Sequence, residues 1–165
     1  MMPDNLVTGL SFAAASGAAL VGGVFFGFSS FIMAGLGRIP SEQGVAAMNS
    51  INVTVINPGF MTALFGTGLL CLVVGALSLG SLGMLDGKLI LAAALFYILG
   101  CDAVTMVFNV PLNNALTAAT PGTPEAAALW TRYLSEWTMW NSVRTAASFV
   151  SAILFVAAGA LRVAA

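Results

Sequence analysis

Four long apolar stretches recur along this 165-residue chain, and only 7% of its residues are charged. About 20 consecutive apolar residues are enough for a helix to cross the hydrocarbon of a bilayer. With 59% apolar residues and a mean hydropathy of +1.00, the chain reads as all-α: one integral membrane domain over residues 1–165, folded as a four-transmembrane-helix bundle. The spans are predicted over about 6–36, 58–82, 88–110 and 138–161. An interfacial segment is expected between helices 1 and 2, over about 41–56, and a second interfacial or extramembrane helical segment over about 124–137. Met1-Met2-Pro3-Asp4-Asn5 lacks the basic start of a cleavable signal, so the first apolar segment is expected to stay as a helix.

Local punctuation sets these boundaries. Gly37-Arg38-Ile39-Pro40 ends the first span, and Ser41 is a cap for the segment that follows. Asn57-Pro58 starts a helix, because Asn accepts an early backbone N–H and Pro at the first position loses no needed donor. Gly83 to Gly87 forms a turn, Pro111 is expected to end the third span, and Thr123-Pro124-Glu125 restarts a helix. In the first span Ala15, Ala19, Gly23 and Gly27 repeat every fourth residue, a stripe that admits a close neighbour. Four crossings put both termini on one side and nearly all the polar motifs at the other. Lys88 and Arg162 lie toward the termini, and Arg38, Arg132 and Arg144 toward the opposite side, a bias too small to orient the protein.

Absences narrow the chemistry. A net charge of −1 with five basic residues argues against nucleic acid. There is no histidine, and Cys71 and Cys101 stand alone in apolar runs, so no ligand set for zinc, iron, copper or haem is apparent. No metal and no cofactor are expected. The partners expected are the lipid bilayer and an apolar small-molecule substrate or lipid; homo-oligomerisation is left open.

The stretch from Trp130 to Arg144 holds all three tryptophans. At about 100° per residue, Trp130, Tyr133, Trp137, Trp140, Asn141 and Arg144 share one stripe, which Ser148 and Ser151 continue. An interfacial anchor is the ordinary reading of such tryptophans, but a belt is distributed around a helix and this stripe is not. Asp102 follows thirteen apolar residues, Leu89 to Cys101, and an acid at that depth costs roughly 2.5–3.5 kcal/mol on insertion. Thr105 and Asn109 follow on its face. An Asp102–Arg144 pair is geometrically allowed; alternatively each snorkels separately, or a neutral Asp102 bonds Thr105 or a carbonyl. Asn49, Asn52, Asn109 and Asn141 converge on the same face, with Asn113 in the turn after Pro111.

Four motifs together resemble the anthrone-oxygenase-like family of small membrane proteins. They are Phe28-Ser29-Ser30-Phe31-Ile32-Met33-Ala34-Gly35-Leu36; Ala46-Ala47-Met48-Asn49-Ser50-Ile51-Asn52 with Asn57-Pro58-Gly59-Phe60; Phe108-Asn109-Val110-Pro111-Leu112-Asn113; and Trp140-Asn141-Ser142-Val143-Arg144. The chain departs from the family at Ser142, where members often carry histidine, and at Ala34, where proline is common. The resemblance implies a bacterial plasma membrane and a metal- and cofactor-independent oxygenase acting on an apolar aromatic or ketone. Such a reaction needs a base, donors for an enolate oxygen and a flat apolar slot. Asp102 is the candidate base; Arg144, Asn141 and Asn109 are candidate holders of the oxyanion. Trp137 and Trp140 would line the slot, with Tyr133, Asn52, Asn49 and Asn113 at its edge. The alternative is a non-catalytic four-helix membrane module that binds a lipid or protein partner through the same face.

Overall fold

Asn57 and Thr123 fix two helix starts. The Asn57 side chain accepts from Phe60 N–H at 3.0 Å, and the Thr123 hydroxyl accepts from Ala126 N–H at 3.2 Å. Each is followed by a proline, whose missing donor costs nothing there. The computed structural model describes residues 4–164. Its helices are α1 (Asn5–Leu36), α2 (Ser41–Thr54), α3 (Pro58–Ser81), α4 (Leu85–Ala118) and α5 (Pro124–Ala164). No strand occurs among the described residues. α1, α3, α4 and α5 are each long and apolar enough to cross a membrane, and α2 is the short segment between the first two spans.

The spans meet through small side chains, because lipid supplies no hydrophobic drive for helices to associate and close van der Waals packing must do so instead. Of the sequence stripe Ala15–Ala19–Gly23–Gly27, only Ala15 lies in the core. Ala14, Ala18 and Val21 are fully buried, whereas Ala19 and Gly23 are exposed. The chain carries a second small-residue series offset by one position, Ala14-Ala18-Gly22, and Gly22 is the glycine that approaches Ser148 of α5. Period alone could not choose between the two.

Two boundaries also differ from the sequence reading. α4 does not stop at Pro111 but continues to Ala118. It reaches the proline through two π-helical stretches, Ile98–Ala103 and Thr105–Asn109. These replace the ordinary i→i−4 ladder ahead of Pro111, where proline would otherwise break it. The segments expected over 124–137 and 138–161 are a single 41-residue helix. At 1.5 Å per residue it is roughly 60 Å long, about twice the hydrocarbon thickness. Ser41 opens α2 without capping it; Pro40 holds the cap position and no side-chain cap bond forms.

The core divides in two. One cluster, including Cys71, Val74, Ile90, Tyr97 and Phe155, joins the four spans. The other, including Met33, Met48, Leu116, Trp130, Tyr133 and Trp137, joins α2 to the connection end of the bundle. At the opposite end, Asp86 at the start of α4 pairs with Arg162 near the end of α5 at 2.6 Å.

Candidate functional site

Trp130, Tyr133 and Trp137 are buried on the inner face of α5. They form a stacked ladder, with ring centroids 5.7 and 5.8 Å apart and interplanar angles of 16° and 18°. Gly44 of α2 makes room for it: a Cβ built there would lie 2.6 Å from the Trp130 ring. For Trp130 and Trp137 the interior ladder therefore replaces the interfacial-belt reading. Trp140 is different. It is half-buried and stacks on Phe108 of α4, 3.6 Å between centroids and 9° from parallel.

Below the ladder, Arg144 is 4% exposed. Its Nη2 donates to Asn141 Oδ1 at 2.7 Å and its Nη1 to Thr105 Oγ1 at 3.2 Å. The guanidinium lies 4.0 Å from the Phe25 ring centroid and 5.3 Å from that of Trp137. Desolvated contacts of this kind contribute about 2 kcal/mol. Asn141 is in turn tied to α1, donating to Phe25 O and Ser29 Oγ, each at 2.7 Å. Asn109 donates to Trp137 O at 3.1 Å, linking α4 to α5.

Asp102 and Arg144 do not pair. No ion pair joins them among the described residues, and they face different neighbours. Asp102 turns to α3, where a Cβ added at Gly68 would collide with its Oδ2; its Oδ1 is enclosed and has no hydrogen-bond partner. Asp102 lies inside the first π-helical stretch and just ahead of the second, and the wider turns rotate it away from the face that α-helical counting assigns to it.

A cavity of about 340 Å³ opens beside the guanidinium, within the range of small-molecule sites. α1 contributes Phe25 and Phe28, α2 roofs it with Met48 and Asn52, and α3 adds Phe60 and Leu64. Thr105 and Asn113 of α4 and Trp137 and Arg144 of α5 complete the wall. Three lining residues, Ile56, Phe65 and Met106, are 72%, 45% and 55% exposed on the outer surface. Through these residues, on the α2–α3 connection, α3 and α4, the cavity lining reaches the apolar exterior of the bundle. Asn52 Nδ2, Trp137 Nε1 and Arg144 Nε are all buried without a partner, while Asn113 Oδ1 accepts from Tyr133 OH at 2.7 Å.

Of the residues singled out in the sequence, Asn52, Asn113, Trp137 and Arg144 meet at this cavity. Tyr133, Asn141 and Asn109 stand behind its lining through the hydrogen bonds above. Asn49, which accepts from Thr117 at 3.3 Å, Trp140 and Asp102 are not among the lining residues. Ser142 is exposed and bonds Ser29 Oγ and Thr138 O, both at 2.9 Å, away from the cavity. Phe25 was missed and Phe60 was noted only within a motif, since an apolar residue in a span carries no sign of what it faces. Among the described residues, no three His, Cys, Asp or Glu side chains group as metal ligands. Cys71 and Cys101 are both buried and unbridged.

Fold and site together define a four-span helical membrane protein with an apolar cavity edged by a buried guanidinium. The anthrone oxygenase family model matches residues 55–154, from the end of α2 well into α5, and the chain belongs to this family. No curated protein and no solved structure gives a significant match.

Proposed function

We propose that the protein is a metal- and cofactor-independent oxygenase of an apolar aromatic or ketone substrate dissolved in the bilayer. The observation that carries this reading is the cavity, apolar on its walls and edged by the unpartnered donors of Arg144, Trp137 and Asn52. Its opening between Phe65 and Met106 suits a molecule arriving through lipid. The reaction is the conversion of an activated CH₂ beside an aromatic ketone to a carbonyl. The C–H proton is lost to a base, the carbanion is held as its enolate, and the electron-rich carbon reduces O₂. One oxygen atom remains as the new carbonyl and the other leaves as water.

In this reading Arg144 stabilises the enolate oxygen, a donor aimed where charge develops. Asn141 and Thr105 orient the guanidinium, and Asn109 fixes α4 against α5. Asp102 accepts the proton. It lies one helical turn from Thr105 and Met106, so water must carry the proton that distance. The test is oxygen-dependent turnover of an anthrone by purified full-length protein. Asp102→Asn is expected to lower kcat at least 100-fold with little change in KM. An Asp102→Asn enzyme at full rate removes the base role. Binding with no oxygen consumption by the unmodified protein would favour the non-catalytic lipid- or partner-binding module.

A further inference from the structure

We infer that this cavity takes its ligand as a monoanion: a planar, conjugated oxyanion whose charged oxygen lies on Arg144. The inference deepens the proposed function by naming the charge state of the bound molecule. It rests on the reading that the cavity is the ligand site, but not on turnover.

The buried cation lacks a counter-charge. Arg144 is almost wholly enclosed, yet its hydrogen-bond partners are neutral, an amide oxygen and a hydroxyl. The ionisable groups that interact with it are the Cys101 thiol from α4 and the Tyr133 phenol of its own helix, both neutral near pH 7 by ordinary values. α1 meets it with the Phe25 ring, and α2 and α3 bring no carboxylate into the cavity lining. A guanidinium has five donor hydrogens and cannot be deprotonated in ordinary use; here Nε–H is unpartnered. Buried charges in proteins are paired or coordinated, because an isolated one is costly in a low-dielectric interior. The missing partner is what the cavity is built to receive.

Two further donors face the same requirement. Asn52 Nδ2 and Trp137 Nε1 are enclosed without partners and belong to the same lining. Donors from the α2 roof and the α5 wall around one cavity suit an acceptor with several lone pairs. The rest of the wall is apolar and aromatic, with Phe25 and Trp137 flanking the charge, which suits a delocalised phenolate or enolate. A strongly hydrated phosphate would lose its water there without replacement.

The experiment compares 4-nitro-1-naphthol, whose anion is coloured, with its uncharged O-methyl ether. Both are titrated against the full chain in neutral-lipid nanodiscs, with protein-free nanodiscs as reference. The bound naphthol is expected to remain ionised about one pH unit or more below its value in lipid alone, a roughly tenfold preference for the anion. Arg144→Gln should abolish that preference while the ether binds within about twofold of its original affinity. Should Arg144→Gln not fold, Trp137→Phe and Asn52→Ala each remove a donor of the cavity lining without breaking a hydrogen bond to the guanidinium. Each should weaken the naphtholate several-fold and spare the ether. An ether that binds as tightly as the naphtholate, or an ionisation unchanged on binding, overturns the inference. Loss of naphtholate binding on adding phosphatidylglycerol would do so too, assigning the cation to a lipid phosphate. Preference for the anion without turnover defeats the oxygenase reading alone, whereas turnover without that preference defeats the anion site alone.

Discussion

Asn141 is the residue on which the position of the guanidinium depends, since it holds Arg144 with its oxygen and α1 with its nitrogen. Asn141→Ala leaves a buried cation and the Phe25 carbonyl each short of a partner. The expected loss is about 2 kcal/mol, read as a lowered midpoint in a detergent thermal or denaturant titration. Asn141→Asp is the more telling change: it keeps the acceptor and supplies the counter-charge from within. The naphtholate preference should then disappear while the methyl ether still binds. Asp102 should behave oppositely. It makes no ion pair with Arg144, so Asp102→Asn strands nothing, and a cycle with Arg144→Gln should be additive within about 0.5 kcal/mol. Coupling well beyond that would restore the pair. At this scale the sequence showed which polar residues were costly enough to need a role, because lipid penalises each one. Which of them met was decided by helix phase, and the direction of the Asp102 side chain depends on π-helical turns that no residue pattern announces.

At the scale of the element, α5 was legible in its aromatic spacing and α3 in its Asn-Pro start. α4 was misread because a proline inside a helix ordinarily ends it. Its second π-helical stretch carries the cavity-lining residues Thr105 and Met106, and the corresponding stretch of α3, Thr62–Gly66, carries Leu64 and Phe65. The cavity therefore forms where both walls depart from regular α-helix, which leaves room that two evenly wound helices would fill. Met106 is the natural place to close it. Met106→Trp puts a bulky ring at the outward end of the opening, on a residue already 55% exposed. Stability should change by less than about 0.5 kcal/mol, as for an exposed site. Association of both naphthol and ether should slow at least tenfold, measured by stopped-flow absorbance in nanodiscs. An unchanged rate would mean that ligand enters under α2 instead.

Over the whole molecule, the two ends of the bundle do different things. Arg144 and Arg162 lie 18 residues apart on the same helix, or roughly 27 Å at 1.5 Å per residue. The first edges the cavity and the second ties α5 to the start of α4 through Asp86. The Asp86–Arg162 tie was invisible to hydropathy, which marks both residues only as ends of spans. It joins the third and fourth spans where only a short turn holds α4 to α3, so it should contribute to stability and not to binding. Side-chain exposures of 11% for Arg162 and 16% for Asp86 put it beyond the fully solvated pairs that contribute little. Asp86→Asn is therefore expected to cost about 1 kcal/mol in a reversible denaturant titration, and the loss should shrink at high salt as screening weakens the original pair. The naphtholate-to-ether preference should stay within about twofold of its original value. A shift in that preference would mean that a change at the far end of α5 reaches Arg144 along the helix. The bundle would then move as one rigid body rather than as a tied end and a binding end.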